Sequence, residues 1–479
     1  AEQARSVRGE TVFRKLRLVQ RTRKAPDLRV VAGKIATFTE ASNSIMKYLP
    51  IDRQLFIENR KKYLSHLGER SIAFFNANDE MPRSGDTSFP FRQQSDLFWL
   101  TGIDQEQTIL VLSPQHPLPE YREILFLRKT NEHIAVWEGH KYTKEEAREV
   151  SGVQSIYWVD DFAAILPVLM HHTDTVYLNL NENDRFVTEV PYRDVRFAEK
   201  LRAQYPHHRF ERSGPLMAKL RSIKSETEIE LMRTAIDITD KAFRRVLGFT
   251  RPGVMEYEIE AEIIHEFIRN RATGHAYTPI IASGPSACVL HYNENNRPCN
   301  DGDVILLDLG AEYANYAGDM TRCVPVNGKF SPRQRDVYNA VLRVMRAAMK
   351  MLVPGNTIPR YHEEVGRVME DELIKLGLLK ADEVKRQDPK QPLYKKYFMH
   401  GTSHFLGLDV HDIGNRYEPM AAGMVFTCEP GIYIPEEGLG IRIENDILIT
   451  AKGPVDLMAA IPIEIEEIEA LMASRKVMA

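Results

Sequence analysis

The sequence has little cysteine and no long apolar run, and each shortage excludes a class of protein. Four of the 479 residues are cysteine and none belongs to a CxxC pair, which argues against a disulfide scaffold and a thiolate zinc site. So few cysteines are typical of a reducing compartment, and we expect a cytoplasmic location. The longest stretch without a polar side chain, residues 162–170, has nine residues including a proline. A membrane-spanning helix needs about 20 apolar residues, so we expect no membrane partner.

The chain also lacks an excess of charge of either sign. Its formal net charge is −4 over 479 residues, so no basic field predicts a nucleic-acid partner. Lysine and arginine are in local surplus in residues 1–50, where eleven of them accompany four acids. Such a start can be a transit peptide, but Glu2, Glu10 and the Pro26–Asp27 break interrupt any long amphipathic helix. We interpret residues 1–50 as a basic arm of unknown role.

The length and the order of apolar patterns predict two domains after this arm. Residues 51–215 read as a small α/β domain, because one helical stretch precedes short apolar runs bounded by turn residues. The helix is predicted over 53–67 and the strands over 71–75, 108–113, 123–128 and 175–180. The Ser213–Gly214–Pro215 break marks the boundary.

Residues 216–479 have a different pattern, in which helices and hairpin-like strands are segregated. Ser225 and Glu228 form a capping box that predicts the start of a long helix. Helices are predicted over 225–247, 256–270, 332–352 and 358–376, and strands over 278–283, 303–310, 321–326, 424–429, 432–435 and 441–450. This pattern favours an α+β fold.

Two aspartates in this second domain stand where a buried carboxylate needs a partner. Asp308 ends the apolar run at 304–307, and Asp319 begins the next predicted strand eleven residues later. A hairpin through residues 311–316 could bring the two side chains face to face. Taken alone, the pair is more simply explained as a turn cap and a salt bridge, since buried carboxylates are usually hydrogen-bonded or paired.

Three histidines follow within twelve residues: His400, His404 and His411. One of them could be an ordinary core or surface residue, but three so close together point to chemistry, because imidazole is a common metal ligand and acid–base group. The residues alone do not decide which of the three would bind metal.

Two glutamates complete the set of candidate ligands. Glu429 precedes a Pro-Gly pair that stops a strand, while Arg442, Glu444 and Asp446 alternate with isoleucines and so share one face of a predicted strand. Four carboxylates and one histidine would balance two divalent cations. Oxygen ligands with an imidazole favour Mn²⁺, Co²⁺ or Zn²⁺, and two such ions can activate water for hydrolysis.

Five ordered motifs resemble the aminopeptidase P family, the proline-specific branch of the dinuclear "pita-bread" metallopeptidases. They are VLHYNENN, LLDLGAEYANYAGDMTRCVPVNGKF, HGTSHFLGLDVHD, TCEPGIYI and GIRIEND, and the resemblance spans residues 51–460. It implies a C-terminal pita-bread domain preceded by a smaller creatinase-like α/β domain. It also implies a homodimer or homotetramer whose substrates are peptides with proline at the second position. The cofactors it implies are two divalent metal ions, with Mn²⁺ expected before Co²⁺ or Zn²⁺.

The resemblance implies a role for each metal ligand. Asp308 would chelate one ion, Asp319 and Glu444 would bridge both, and His404 and Glu429 would hold the second. A hydroxide shared by the ions would attack the scissile carbonyl, and Glu429 would also shuttle its proton.

Four further residues would serve the substrate or support the ligands. His291, which matches the HY of the first motif, and His411 would contact the substrate and stabilise the developing oxyanion. His400 and Arg442 would support the ligands or position the substrate. Judged without the resemblance, His291 is better explained as a hydrogen-bonded core residue.

Two alternatives remain open at this point. Xaa-Pro dipeptidase shares the fold and all five ligands, although Ser403 before His404 is more typical of aminopeptidase P. A metal-free binding module on the same scaffold is a more remote alternative, because such proteins typically lose several of the carboxylates that are present here.

Overall fold

A computed structural model describes residues 46–183, 185–186 and 188–474. Residues 1–45 of the predicted basic arm lie outside this described part. Within it, none of the helices combines the length and the apolarity that crossing a bilayer requires.

A mixed six-stranded sheet forms the amino-terminal region, residues 46–213. Its strands run in the order β6-β5-β4-β1-β7-β8. The sheet strands are β1 (Ser71–Asn76), β4 (Ile109–Leu112), β5 (Glu123–Leu127), β6 (Ser155–Trp158), β7 (Thr175–Leu178) and β8 (Arg209–Arg212), and a separate exposed hairpin contains β2 (Pro82–Ser84) and β3 (Thr87–Ser88). β1 is antiparallel to β4 and parallel to β7.

Helices cover both faces of this sheet, so the region is α/β as predicted. Along β1, Phe75 belongs to one apolar core and Phe74 to the other, because successive side chains of a strand point to opposite faces. The helices are α1 (Gln54–Leu64), α2 (Ser95–Thr101), α3 (Glu132–Glu138), α4 (Lys144–Ser151), α5 (Phe162–His171) and α6 (Arg193–Gln204).

The carboxy-terminal region, residues 214–474, is built from long helices and small antiparallel sheets, as the α+β prediction requires. Its helices are α7 (Gly214–Ser222), α8 (Glu226–Phe249), α9 (Glu256–Arg269), α10 (Pro332–Met349), α11 (Ile358–Lys375), α12 (Ala381–Val384) and α13 (Ile465–Ala473). The predicted capping box at the start of α8 is confirmed, since the side chains of Ser225 and Glu228 each bind the other's backbone N–H.

The strands described in this region form four small sheets. One sheet has the order β10-β11-β14, a second β13-β12-β9, a third β15-β18-β19, and β16 pairs with β17. The strands are β9 (Gly274–His275), β10 (Ile280–Ser283), β11 (Val304–Leu309), β12 (Ala311–Tyr313), β13 (Tyr316–Ala317), β14 (Met320–Pro325), β15 (Val425–Cys428), β16 (Gly431–Ile434), β17 (Leu439–Arg442), β18 (Asn445–Thr450) and β19 (Gly453–Asp456).

The prediction of one continuous strand over 441–450 is wrong. The strand breaks at Ile443–Glu444, so that β17 pairs with β16 while β18 pairs with β15 and β19. At the break the backbone N–H of Glu444 donates to the carbonyl of Thr321 on β14 (3.1 Å). The chain therefore changes sheets at this glutamate, a change that side-chain alternation cannot indicate.

The predicted hairpin between the two aspartates is present and its backbone is tightly packed. Ala314 and Asn315 at its tip have φ values of 51° and 63°, as expected for a two-residue turn with both residues left-handed. Below the tip, a Cβ added at Gly310 would lie 1.7 Å from the carbonyl oxygen of Gly318. Only glycine allows this approach.

We expect Gly310→Ala to separate the strands that carry Asp308 and Asp319, because backbone rather than a flexible side chain blocks the methyl group. The variant should lose several kcal/mol of stability, about 3 or more, as overpacked positions do, and bind divalent metal poorly. Urea unfolding and metal titration measure both effects. Gly248→Ala is the matched control, because its Cβ meets nothing within 4 Å and alanine favours helix. Equal stability of the two variants would contradict this packing argument.

Candidate metal centre

Four of the five predicted ligands lie at or beside strand ends, and the fifth comes from a loop. Asp308 is the fifth residue of β11 and Asp319 immediately precedes β14. Glu429 immediately follows β15, and Glu444 stands in the break between β17 and β18. His404 comes from the loop before β15, where its backbone N–H donates to the Oγ1 of Thr427 (3.1 Å).

The structure brings three of the five together as a group that could hold a metal ion. Asp319, His404 and Glu444 can each direct one ligand atom so that all three lie within 4.8 Å of one another. Glu429 joins them, since its Oε1 lies 3.8 Å from His404 Nε2, which is itself 3.4 Å from Asp319 Oδ2. No other group of this kind occurs in residues 46–474 as far as they are described.

Asp308 joins the group through Tyr277. The hydroxyl of Tyr277 lies 2.6 Å from Oδ1 of both Asp308 and Asp319. Burial, and then the two carboxylates, raise the pKa of Tyr277, so the phenol keeps its proton and can donate it. This tyrosine was not predicted, because it lies between β9 and β10 in a stretch with no informative periodicity.

Arg442 is the cation of the site. It forms an ion pair with Oδ2 of Asp308 and donates through Nη1 to the hydroxyl of Tyr433 (2.8 Å) and through Nε to Thr321 (3.2 Å). The hydroxyl of Thr321 in turn donates to Glu444 Oε2 (2.7 Å). Arg442 therefore fixes its neighbours rather than occupying the ligand position itself.

The electrostatics of the group favour bound cations. Burial and the neighbouring carboxylates raise the pKa values of Asp319, Glu444 and Glu429 well above their usual range, although Arg442 opposes this for all three. One arginine faces four carboxylates. Buried carboxylates are normally paired or bound to metal, so this donor set fits divalent cations, and the single imidazole suits transition ions.

His404 is oriented as a ligand should be. Its Nδ1 lies 2.9 Å from the carbonyl oxygen of Phe405, a contact that places the ring proton on Nδ1 and leaves Nε2 free to face the carboxylates. The ring of His411 packs edge-on against it, with centroids 4.4 Å apart and planes at 88°.

The other histidines lie around the group. His400 has its Nε2 2.8 Å from the hydroxyl of Tyr433 and its Nδ1 3.9 Å from Glu429 Oε2. Burial lowers the pKa values of His400 and His411 to about 3, with a smaller contribution from His291 to each. Both rings are therefore neutral near pH 7. His291 itself is exposed, so the interpretation of it as a core residue is wrong.

Asp446 is a further residue whose role the sequence did not reveal. Its Oδ2 accepts a hydrogen bond from the backbone N–H of Asp319 (3.1 Å). The alternation around Glu444 singled out this acid, and the fold shows that it holds the backbone of a ligand instead of facing solvent.

Comparisons with known proteins agree with this geometry. Residues 230–451 match the model of metallopeptidase family M24, and residues 56–177 match the aminopeptidase P N-terminal domain. The Xaa-Pro aminopeptidase of Haemophilus influenzae is 38% identical over 88% of this chain and 98% of its own. The zinc-substituted Escherichia coli aminopeptidase P in complex with product has a TM-score of 0.79 at 36% identity, over 89% of this chain and 99% of that one.

A more distant similarity concerns the alternative enzyme. The Xaa-Pro dipeptidase of Rattus norvegicus is 29% identical over 89% of this chain and 94% of its own. The predicted fold is a pita-bread domain that follows an aminopeptidase P N-terminal domain in the sequence. It is confirmed by these matches and by the observed sheets.

We expect Tyr277→Phe to weaken divalent metal binding about 10- to 100-fold, the usual effect of losing a hydrogen bond to a ligand. Calorimetric titration with Mn²⁺ measures this. Tyr292→Phe is the control, because its hydroxyl donates to Glu256 (2.7 Å) and not to any candidate ligand. If the two variants bound Mn²⁺ equally well, Tyr277 would have no part in ordering the ligands.

The raised carboxylate pKa values also predict how stability depends on pH. In the unfolded chain, aspartate and glutamate side chains have pKa values of about 4. Without metal, the folded chain therefore binds more protons at Asp319, Glu429 and Glu444 than the unfolded chain does. Their contribution to stability therefore falls as pH rises. Bound metal has the opposite dependence, because protons compete for its ligands.

We accordingly expect these carboxylates to raise the melting temperature of chelator-treated protein as the pH is lowered from about 8 to about 6, while the stabilisation by added Mn²⁺ shrinks. His400 and His411 act in the opposite direction, because folding lowers their pKa values, so the wild type is compared with a variant that keeps both histidines. Over this pH range an Asp319→Asn, Glu444→Gln double variant without metal should gain less melting temperature, or lose more, than the wild type in thermal melts with chelator. Equal changes in the two proteins would contradict a contribution from these carboxylates.

Proposed function

This chain belongs to the aminopeptidase P family of M24 metallopeptidases, and from that premise we propose how its own residues carry out the reaction. The activity is metal-dependent hydrolysis of the bond between an N-terminal residue and a penultimate proline. The observation that supports the site assignment most directly is the convergence of Asp319, His404 and Glu444 within 4.8 Å, beside Asp308 and Glu429.

We propose that the five ligands hold two ions in the arrangement that the family resemblance implies, with Mn²⁺ as the metal in the cell. Divalent cations at such a site activate water and polarise the scissile carbonyl. The chain contributes fixed carboxylates. Tyr277 and Arg442 hold Asp308, Thr321 holds Glu444, and none of these contacts depends on the substrate.

Glu429 is suited to move the proton. Burial, and next Glu444, raise its pKa, so it binds a proton more readily than an ordinary glutamate. We propose that it accepts the proton of the attacking water and delivers it to the leaving proline nitrogen. That nitrogen carries no N–H in the Xaa-Pro bond, and it must gain a proton to leave as an amine. A positioned acid that supplies this proton lowers the barrier to its departure.

The histidines around the group are suited to the developing negative charge. His411 is neutral near pH 7, so it can donate a hydrogen bond to the carbonyl oxygen in the transition state. His291 is exposed and close enough to contribute to the lowered pKa of His411, so we propose that it contacts the same substrate. His400 shares the hydroxyl of Tyr433 with Arg442. We propose that this pair positions the substrate beside Glu429.

Three further assignments are proposals of the same kind. The domain boundaries are residues 51–215 and 216–479. The protein works as a homodimer or homotetramer, which the exposed side chains of Val136 and Trp137, 80% and 77% accessible, would help to form. Its location is cytoplasmic, in keeping with four unpaired cysteines.

We expect Mn²⁺-loaded protein to cleave the tripeptide Arg-Pro-Pro, and chelation to abolish this cleavage. Asp319→Ala and Glu444→Ala should each lower kcat at least about 1,000-fold, because removing a shared ligand removes the metal-activated water. Asp237→Asn on the exposed face of α8 is the control. Chromatography of the released arginine measures the rate.

The dipeptide Ala-Pro separates the two enzymes. Cleavage confined to Ala-Pro would identify a dipeptidase. Absence of metal-dependent cleavage of either peptide would revive the binding module, and near-normal turnover by Asp319→Ala would contradict the two-metal site.

A further inference from the structure

One buried arginine connects the amino-terminal region to the loop that carries His411. Arg221 lies near the end of α7, and 3% of its side chain is exposed. Its Nη1 donates to Asp96 Oδ1 in α2 (2.8 Å). Its Nη2 donates to Asp409 Oδ2 (2.9 Å) and also to Asp412 Oδ1. Because Asp409 and Asp412 stand on either side of His411 in the sequence, a single guanidinium holds the loop on both flanks of this histidine.

Other side chains hold the same two aspartates. Lys224 Nζ donates to Asp412 Oδ2 (3.0 Å), and each of these side chains is 1% exposed. Ser95, in α2, donates to Asp409 Oδ1 (2.8 Å). Charge-assisted hydrogen bonds are strong, most of all where water is excluded as at Asp412, so the loop has one well-defined position.

Asp409 stays ionised at every working pH. Burial alone would raise the pKa of Asp409, but Arg221 and Arg92 lower it to about 2. Arg92 also donates to the carbonyl oxygen of Leu408, within the same loop. Since Ser95, Asp96 and Arg92 all belong to the amino-terminal region, that region supplies much of what holds the loop.

The amino-terminal region also contacts His411 directly. The side-chain amide of Asn183 donates to the carbonyl oxygen of His411 (3.0 Å). On its other side, the His411 ring packs against the ligand His404. Gly407, in the same loop, is closely packed on this network, because a Cβ added there would lie 2.2 Å from Asp412 Oδ2. His411 is therefore fixed between the metal ligands and the amino-terminal region.

We propose that Arg221 is a positioning residue for His411, which it holds at the reacting carbonyl by anchoring Asp409 and Asp412 to Asp96. The proposal rests on the proposed function, since it needs His411 to act in the transition state. It goes further by making the amino-terminal region a determinant of the chemical step within the same chain. Misplacing such a group by about 1 Å costs about 100-fold in rate.

The test is a double-mutant cycle on kcat between Arg221→Lys and His411→Ala in Mn²⁺-loaded protein. Arg221→Lys should lower kcat about 10- to 100-fold with KM changed less than about twofold, the pattern of an interaction made only in the transition state. In the His411→Ala background the same substitution should lower kcat less than about twofold, because residues that act through one another are not additive. Metal content, measured in each variant, should stay constant.

Arg60→Lys is the matched control. Arg60 is also buried, 1% exposed, and pairs with Glu123 and three backbone carbonyls, none of which belongs to the loop around His411. It should leave kcat unchanged even if it lowers the melting temperature. A general loss of stability would therefore not imitate the expected result.

Asp96→Asn removes the carboxylate that accepts from Arg221 Nη1. It tests the proposal if Arg221→Lys does not fold or loses metal. It should show the same non-additivity with His411→Ala. The proposal is overturned if these substitutions leave kcat unchanged, or lower it equally with and without His411. Failure of the wild-type protein to cleave proline peptides would instead contradict the proposed function.

Discussion

Placing Asp308, Asp319 and Glu444 in one buried pocket costs free energy, because burial and the neighbouring carboxylates oppose the ionisation of Asp319 and Glu444. Much of the surrounding structure offsets this cost. The hydroxyl of Tyr277 lies between two of the carboxylates, Thr321 donates to a third, and Arg442 forms an ion pair with Asp308. What these contacts leave uncompensated is the negative charge that divalent ions neutralise.

A second buried network has a different balance. Around Arg221 each carboxylate meets a cation at hydrogen-bonding distance, and the pKa of Asp409 is lowered instead of raised. The two networks touch at His411, whose ring packs on the proposed ligand His404 and whose neighbours in the loop are Asp409 and Asp412. The carboxylates of the first network need cations from outside the chain to balance their charge, whereas those of the second are balanced by Arg221 and Lys224. The first suits a reacting centre and the second suits a fixed frame around it.

Sequence patterns predicted the features that are determined by residues close together in the chain or by motifs in a fixed order. The capping box of α8, the hairpin between Asp308 and Asp319 and the carboxylate-histidine set each follow from short-range spacing or from motifs in order. Contacts that depend on how separate strands meet could not be predicted. Tyr277 lies 31 residues from Asp308, and the break at Glu444 depends on β14, more than a hundred residues earlier. Arg221 was missed for the same reason, since its partners come from both regions.

The change of sheet at Glu444 ties the ligands to the architecture. Of the proposed metal ligands, Asp308 and Asp319 belong to the sheet of β11 and β14, Glu429 follows β15, and Glu444 sits where the chain passes from β17 to β18. An ion shared by these residues would link separate sheets to one another, as a cross-link does. Its binding energy would then contribute to folding. Loss of metal would accordingly lower the stability of the folded chain as well as its activity.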